Sequence, residues 1–179
     1  MGEIHAYDEE KLIVGVIYHD KDFLEKALTM LTDMFGETDC VSDEFSFSAG
    51  FSDYYDEEIG GEGLRRFYSF RRLVNPSEQA KIKTATNRME KELSVDGKRR
   101  INLDPGFMNI GRLMLATTKN AWFRVPLSDG IYTELTLFWA RKRWNKMAWT
   151  YMDYQSETVQ KFLTKVHKIY LEQRKAPET

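Results

Sequence analysis

Apolar and polar positions along the chain switch repeatedly between a period of two and a period near 3.6. Lys11-Leu-Ile-Val-Gly-Val-Ile-Tyr18 is a short β-branched apolar run, which predicts a buried strand. Phe23, Ala27, Leu28, Leu31 and Phe35 then recur at helical spacing, with Asp20 placed to cap the helix and Gly36 to stop it. Val41 to Phe47 alternates weakly and runs into a loop over Ser48 to Gly63. Leu64 to Val74 predicts a strand in which Arg65, Arg66, Arg71 and Arg72 interleave with apolar residues. Asn75-Pro76 opens a second helix ending near Asp96-Gly97. Arg100 to Leu103 reads as a strand meeting a turn at Asp104-Pro105-Gly106. Arg112 to Thr117 and Trp122 to Val125 follow as strands. Ser128-Asp129-Gly130 turns into the long strand Ile131 to Ala140, and Met147 to Tyr151 offers one more. Ser156 caps a last helix with Val159, Phe162, Leu163, Val166 and Tyr170 on one face, and the tail from Arg174 is expected to fray.

The resulting order is β-α-β-β-α-β, a β-meander, and a helix. It predicts an α+β fold: a ferredoxin-like βαββαβ start extended by an antiparallel meander and a C-terminal helix, with the helices mainly on one face of the sheet. A length of 179 residues fits one domain, 1–179.

Composition narrows the class. The lone cysteine, Cys40, can form neither an internal disulfide nor a Cys-based zinc site. No apolar run approaches the ~20 residues that cross a bilayer. The first ten residues are acidic and do not resemble a signal peptide. Met1-Gly2 starts like a myristoylation signal, but Ala6 stands where Ser or Thr is wanted. The expectation is a soluble cytoplasmic protein with no membrane partner. A net charge of −2 argues against a dedicated nucleic-acid binder. The charge is uneven: residues 1–60 carry 3 basic against 16 acidic side chains, and 61–100 carry 11 against 5. Either the acidic third pairs with the basic remainder, or a cationic surface for phosphate lies beside carboxylates that hold a metal.

Standard motifs are missing. There is no phosphate-loop G-x-x-x-x-G-K-[ST], no G-x-G-x-x-G after a strand and no H-E-x-x-H. His5, His19 and His167 lie far apart, and acids at Asp39 and Asp43 flank Cys40, which disfavours a thiolate. Four polar clusters remain. Asp53-Tyr54-Tyr55-Asp56-Glu57-Glu58 holds carboxylates suited to Mg²⁺, Asp53 and Glu58 above all, or is simply an exposed acidic loop. Lys83 and Asn87 lie one helical turn apart and suit an anion, or a solvated face. Asn102 and Asp104 point to one side of their strand, unless Asp-Pro-Gly is only a turn. Glu134 interrupts an apolar run and needs Arg124 or Lys119 as a partner, in a structural ion pair or in a site. Trp149 to Tyr154, with Asp153, would wall such a site or the core edge.

Ser52-Asp53-Tyr54-Tyr55, Glu58-Ile59-Gly60, Lys83-Thr84-Ala85-Thr86-Asn87, Asn102-Leu103-Asp104-Pro105-Gly106, Ala116-Thr117-Thr118-Lys119, Gly130-Ile131-Tyr132-Thr133-Glu134-Leu135-Thr136-Leu137 and Trp149-Thr150-Tyr151-Met152-Asp153-Tyr154, in this order, resemble the prokaryotic family domain of unknown function 4416. The family pattern has a His-Arg pair where Phe123-Arg124 stands, and a Pro where Met152 stands. Family members are often labelled GTP-binding proteins. Asn145-Lys146-Met147-Ala148 departs from the guanine-reading Asn-Lys-x-Asp at its last position, so Ras-like tight GTP binding is not expected.

Two function classes stand. In the first, Lys83, Lys119 and Arg124 hold a phosphorylated or nucleotide-like small molecule, Asp53, Glu58 and Asp104 hold Mg²⁺ or orient the ligand, and Tyr54, Tyr55 and Tyr154 stack on it. Any reaction would be phosphoryl or nucleotidyl transfer, or hydrolysis. In the second, the basic strand Arg65 to Arg72 engages a protein or RNA partner without catalysis. The first requires the separated clusters to converge on one cavity.

Overall fold

The first strand recruits most of the chain. In a computed structural model describing residues 2–175, β1 (Glu10–Tyr18) leads into α1 (Lys21–Phe35), whose cap is the Asp20 carboxylate on Asp22 N at 2.8 Å and whose end is Gly36 at φ 85°. β2 (Thr38–Val41) and β3 (Phe45–Ser46) come next. The expected loop then contains two short helices, α2 (Phe47–Gly50) and α3 (Asp56–Ile59), before β4 (Leu64–Val74). A 3₁₀ turn at Pro76–Glu78 runs into α4 (Gln79–Glu92), which ends short of Asp96-Gly97. β5 (Ile101–Met108), β6 (Arg112–Thr117), β7 (Val125–Pro126), β8 (Tyr132–Ala140) and β9 (Arg143–Lys146) precede a 3₁₀ turn at Asp153–Gln155 and α5 (Glu157–Gln173). The fraying expected of the tail beyond Lys175, and the Met1 of the myristoylation-like start, lie outside the described residues.

All strand pairs are antiparallel, in the order β2-β4-β1-β5-β6-β8-β7, with β3 on β4 and β9 on β8. The fold is a mixed helix and antiparallel-sheet α+β architecture. Leu12, Val14, Val16 and Tyr18 point to one face, where Leu24, Ala27 and Leu31 of α1 and Ala80, Ile82 and Met89 of α4 cover them. On the other face Ile13, Phe67, Leu113 and Leu137 pack against Val159, Phe162, Leu163 and Val166 of α5. This corrects the expectation of helices mainly on one face: α5 supplies a second apolar layer.

Three local readings also change. Asp104-Pro105-Gly106 is not a turn, because β5 runs through it with Pro105 paired to Val14. A proline survives there because β6 joins β5 only from Gly106 onward, leaving no ladder partner to miss its N–H. Trp122 to Phe123 forms a turn closed by Arg124 N on Ala121 O at 3.0 Å, so only Val125–Pro126 is strand. The last hairpin pairs Arg143–Lys146 rather than Met147–Tyr151. Arg141 and Lys142, at φ 54° and 61°, make its two-residue turn.

Candidate functional site

β5 and β6 separate. Their pairing is limited to Gly106–Met108 against Leu113–Leu115, so the upstream half of β5 has no neighbour on that side. The backbone of Leu103 would be left open there. Two side chains of α4 complete it: Glu90 Oε1 accepts from Leu103 N at 2.6 Å, and Lys83 Nζ donates to Leu103 O at 2.8 Å. Beside this split lies a cavity of about 330 Å³.

Register decides what faces it. Directly paired residues of an antiparallel ladder share a face. Gly15 pairs with Phe67 and Asp104, and Ile17 with Arg65 and Asn102, so Arg65, Asn102 and Asp104 stand together on the α5 side. Glu134 reaches the same side through its pairing with Leu115, which pairs in the next register with Gly106.

Arg65 is the centre of the arrangement. Its side chain is 2% exposed, with Nη1 2.9 Å from Asp104 Oδ2 and Nε 3.2 Å from Asp153 Oδ2. The guanidinium also lies over Phe67 at 4.7 Å. Gly15 makes the room: a Cβ there would stand 2.8 Å from Arg65 Nη2 and 2.8 Å from Phe67 Cε1. Burial works against the charge of Asp104, but the cations of Arg65 and Lys83 and the bonds from Arg65 and Asn102 outweigh it and hold Asp104 below the ordinary aspartate range. Asp153 moves the other way, because burial and the nearby Asp104 charge exceed the help from Arg65. Burial likewise raises Glu90, Tyr55 and Tyr154, so both phenols stay protonated. Two carboxylates with acidities pulled apart can serve as acid and base, or as acceptor and donor, toward a bound molecule.

The walls are tied by arginines. Arg124 donates Nε to Glu134 Oε2 at 2.7 Å, Nη1 to Lys119 O at 2.7 Å and Nη2 to Tyr151 Oη at 3.0 Å. It therefore fixes its neighbours more than it waits for an anion. Arg99 joins Glu58 at 2.6 Å, Glu90 at 3.2 Å and Asn102 at 3.2 Å. Lys119 is exposed at the mouth, 4.9 Å above the Tyr54 ring, and Tyr54 meets Tyr55 edge to face at 5.0 Å.

The structure thus brings to one cavity the polar positions singled out on β5, β8 and α4, namely Asn102, Asp104, Glu134, Lys83 and Asn87. Lys119 and Arg124 from the β6–β7 connection join them, with Tyr54, Tyr55, Asp153 and Tyr154. The two metal candidates are not among the lining residues: Asp53 is exposed, and Glu58 is spent on Arg99. Among the described residues no three His, Cys, Asp or Glu side chains gather as a metal-holding group. The basic strand does not form a stacking platform. Phe67 and Phe70 are fully buried and Arg65 faces inward, because β4 is an interior strand covered on both faces.

Arg65, which the sequence places only in a basic partner-binding strand, and Arg99 and Glu90, which it does not single out, are site residues that the sequence reading misses. A signal for the first was present: Arg65 alternates with Phe67 and Ser69 on one strand face, and Gly15 interrupts a β-branched strand where a bulky group approaches.

Among the described residues no helix is long and apolar enough to cross a membrane. No curated protein and no solved structure matches the chain. The model of one family does match, over residues 8–170, and the chain belongs to it: the family described as domain of unknown function (DUF4416).

Proposed function

We propose that the cavity binds a phosphorylated or nucleotide-like small molecule. The observation carrying this reading is that charged and aromatic residues from several separate segments line one open space of about 330 Å³, within the ~300–1,000 Å³ usual for ligand sites. Ion pairing alone would have closed it. Instead Asp104 keeps 31% of its side chain exposed beside its arginine. Tyr54 and Tyr55 offer faces for a ring, and Lys119 offers a cation. A Mg²⁺ carried on ligand phosphates needs only one or two protein carboxylates, so a magnesium requirement is part of the test. The strand order β2-β4-β1-β5, with a helix after β1 and another after β4, supports a ferredoxin-like arrangement for the first half.

The experiment is a thermal-shift screen of sugar phosphates, nucleotides and their unphosphorylated parents, with and without Mg²⁺. A ligand at one hundred times its Kd stabilises the fold by about 2.7 kcal/mol. If no phosphorylated compound shifts the melting temperature under either condition, the reading is wrong.

A further inference from the structure

The cavity has two chemically different ends. At the floor, Asp104 Oδ2 takes both Arg65 Nη1 and Asn102 Nδ2 at 2.9 Å, while Oδ1 has no partner among the described residues. The Asn87 amide and the Tyr154 phenol, which line the same space, also have no hydrogen-bond partner there. At the mouth, Lys119 makes no ion pair among the described residues. The other cations are committed: Arg65 to Asp104 and Asp153, Arg99 to Glu58 and Glu90, Arg124 to Glu134, and Lys83 to the Leu103 carbonyl.

The two ends want different groups. An ionised carboxylate only accepts hydrogen bonds, so the free oxygen of Asp104 calls for a hydroxyl or amine. A phosphate placed against the floor would meet Asp104, Asp153 and Glu134, whose charges already have partners, and would be repelled. One uncommitted lysine at the exposed mouth can pair with one phosphate group, whose remaining charge stays in solvent, and not with a chain of them. A space of about 330 Å³ is also at the small end for ligand cavities.

We infer that the cavity takes the phosphate monoester of a small polyhydroxylated compound, a sugar phosphate or nucleoside monophosphate, with its hydroxyls on Asp104 and Asn87 and its single phosphate on Lys119. Di- and triphosphates are disfavoured. This rests on the reading of the cavity as a phosphorylated-ligand site, and narrows it.

Calorimetry separates the two. The probes are ribose 5-phosphate, glucose 6-phosphate and AMP, each beside its unphosphorylated parent, and ATP with Mg²⁺. At least one monoester binds about tenfold or more tightly than its parent and more tightly than ATP. The sugar and nucleoside arms distinguish the two sources. Lys119→Ala, at an exposed site with no ion pair among the described residues, erases the advantage over the parent and, losing only the contact over Tyr54, moves the unfolding midpoint little. Asn87→Ala weakens monoester and parent alike. ATP binding more tightly than every monoester would overturn the single-phosphate assignment and leave the phosphorylated-ligand site intact. Monoester affinity unchanged in Lys119→Ala, or in Asn87→Ala, would overturn the placement. Binding by none of the phosphorylated probes would overturn both the inference and the site.

Discussion

Arg65 shows how one buried cation sets the chemistry around it. A guanidinium 2% exposed is costly to bury alone, and here two carboxylates approach it from different edges while Phe67 covers one side. One positive charge cannot hold both carboxylates equally. Asp104, which also has Lys83 and Asn102, keeps its charge; Asp153 holds its own less firmly. The sign of the resulting pH dependence follows. Above the ordinary aspartate value of 3.8, Asp104 is ionised folded and unfolded, and its contribution to stability is complete. Below it the unfolded chain takes up the proton first, so stability falls as pH falls toward the lower folded value. Asp104→Asn lacks this contribution. It should be about 2 kcal/mol less stable at pH 7 and should lose less on acidification below about pH 4. Urea denaturation at a series of pH values checks this, and parallel pH curves for the two proteins would refute it. Glu10, which shifts upward without any influence from Asp104, drops out of the comparison, whereas Asp153 and Glu90 are raised partly by the Asp104 charge, so their shifts relax in the variant and partly offset the difference between the two curves.

At the scale of elements, α4 acts as a splint along the open edge of β5. Lys83 and Glu90 lie two helical turns apart on one face and serve the carbonyl and amide of the same residue, Leu103. They stand in for the strand that β6 fails to provide, and so keep the split open without leaving backbone groups unsatisfied. Glu90→Ala strands the Leu103 amide and should cost about 1–3 kcal/mol, whereas Glu90→Gln keeps a carbonyl acceptor and should cost less. Hydrogen exchange at the Leu103 amide should quicken in Glu90→Ala and change little in Glu90→Gln. Equal exchange in all three proteins would show that the side chain is not what protects it.

Across the whole molecule, one sheet separates two apolar clusters, and the same strands feed both. Ile13 of β1 packs toward α5, while Leu12 and Val14 pack toward α1 and α4. Neither cluster can be exposed without unpairing strands that belong to the other. Unfolding in urea should therefore be one cooperative transition. Tryptophan fluorescence in a Trp122→Phe, Trp149→Phe background, which leaves Trp139 and Trp144 to report the α5 face, should coincide with far-UV circular dichroism. Two separated transitions would divide the chain into independent units.

What the sequence determined by itself was local. The strands Lys11 to Tyr18 and Leu64 to Val74, the Asp20 and Ser156 caps and the Gly36 stop follow from periodicity and capping chemistry, which need only neighbours along the chain. The polar residues that interrupt apolar elements were visible for the same reason. Only the tertiary structure decided that Asp104-Pro105-Gly106 stays extended, that Arg65 turns inward and that α5 covers the second face. Each depends on a partner tens of residues away: β1 beside Pro105, two carboxylates around Arg65, and a sheet face for α5. A local turn preference or a run of basic residues yields when such partners satisfy more backbone and bury more apolar surface than the local alternative would.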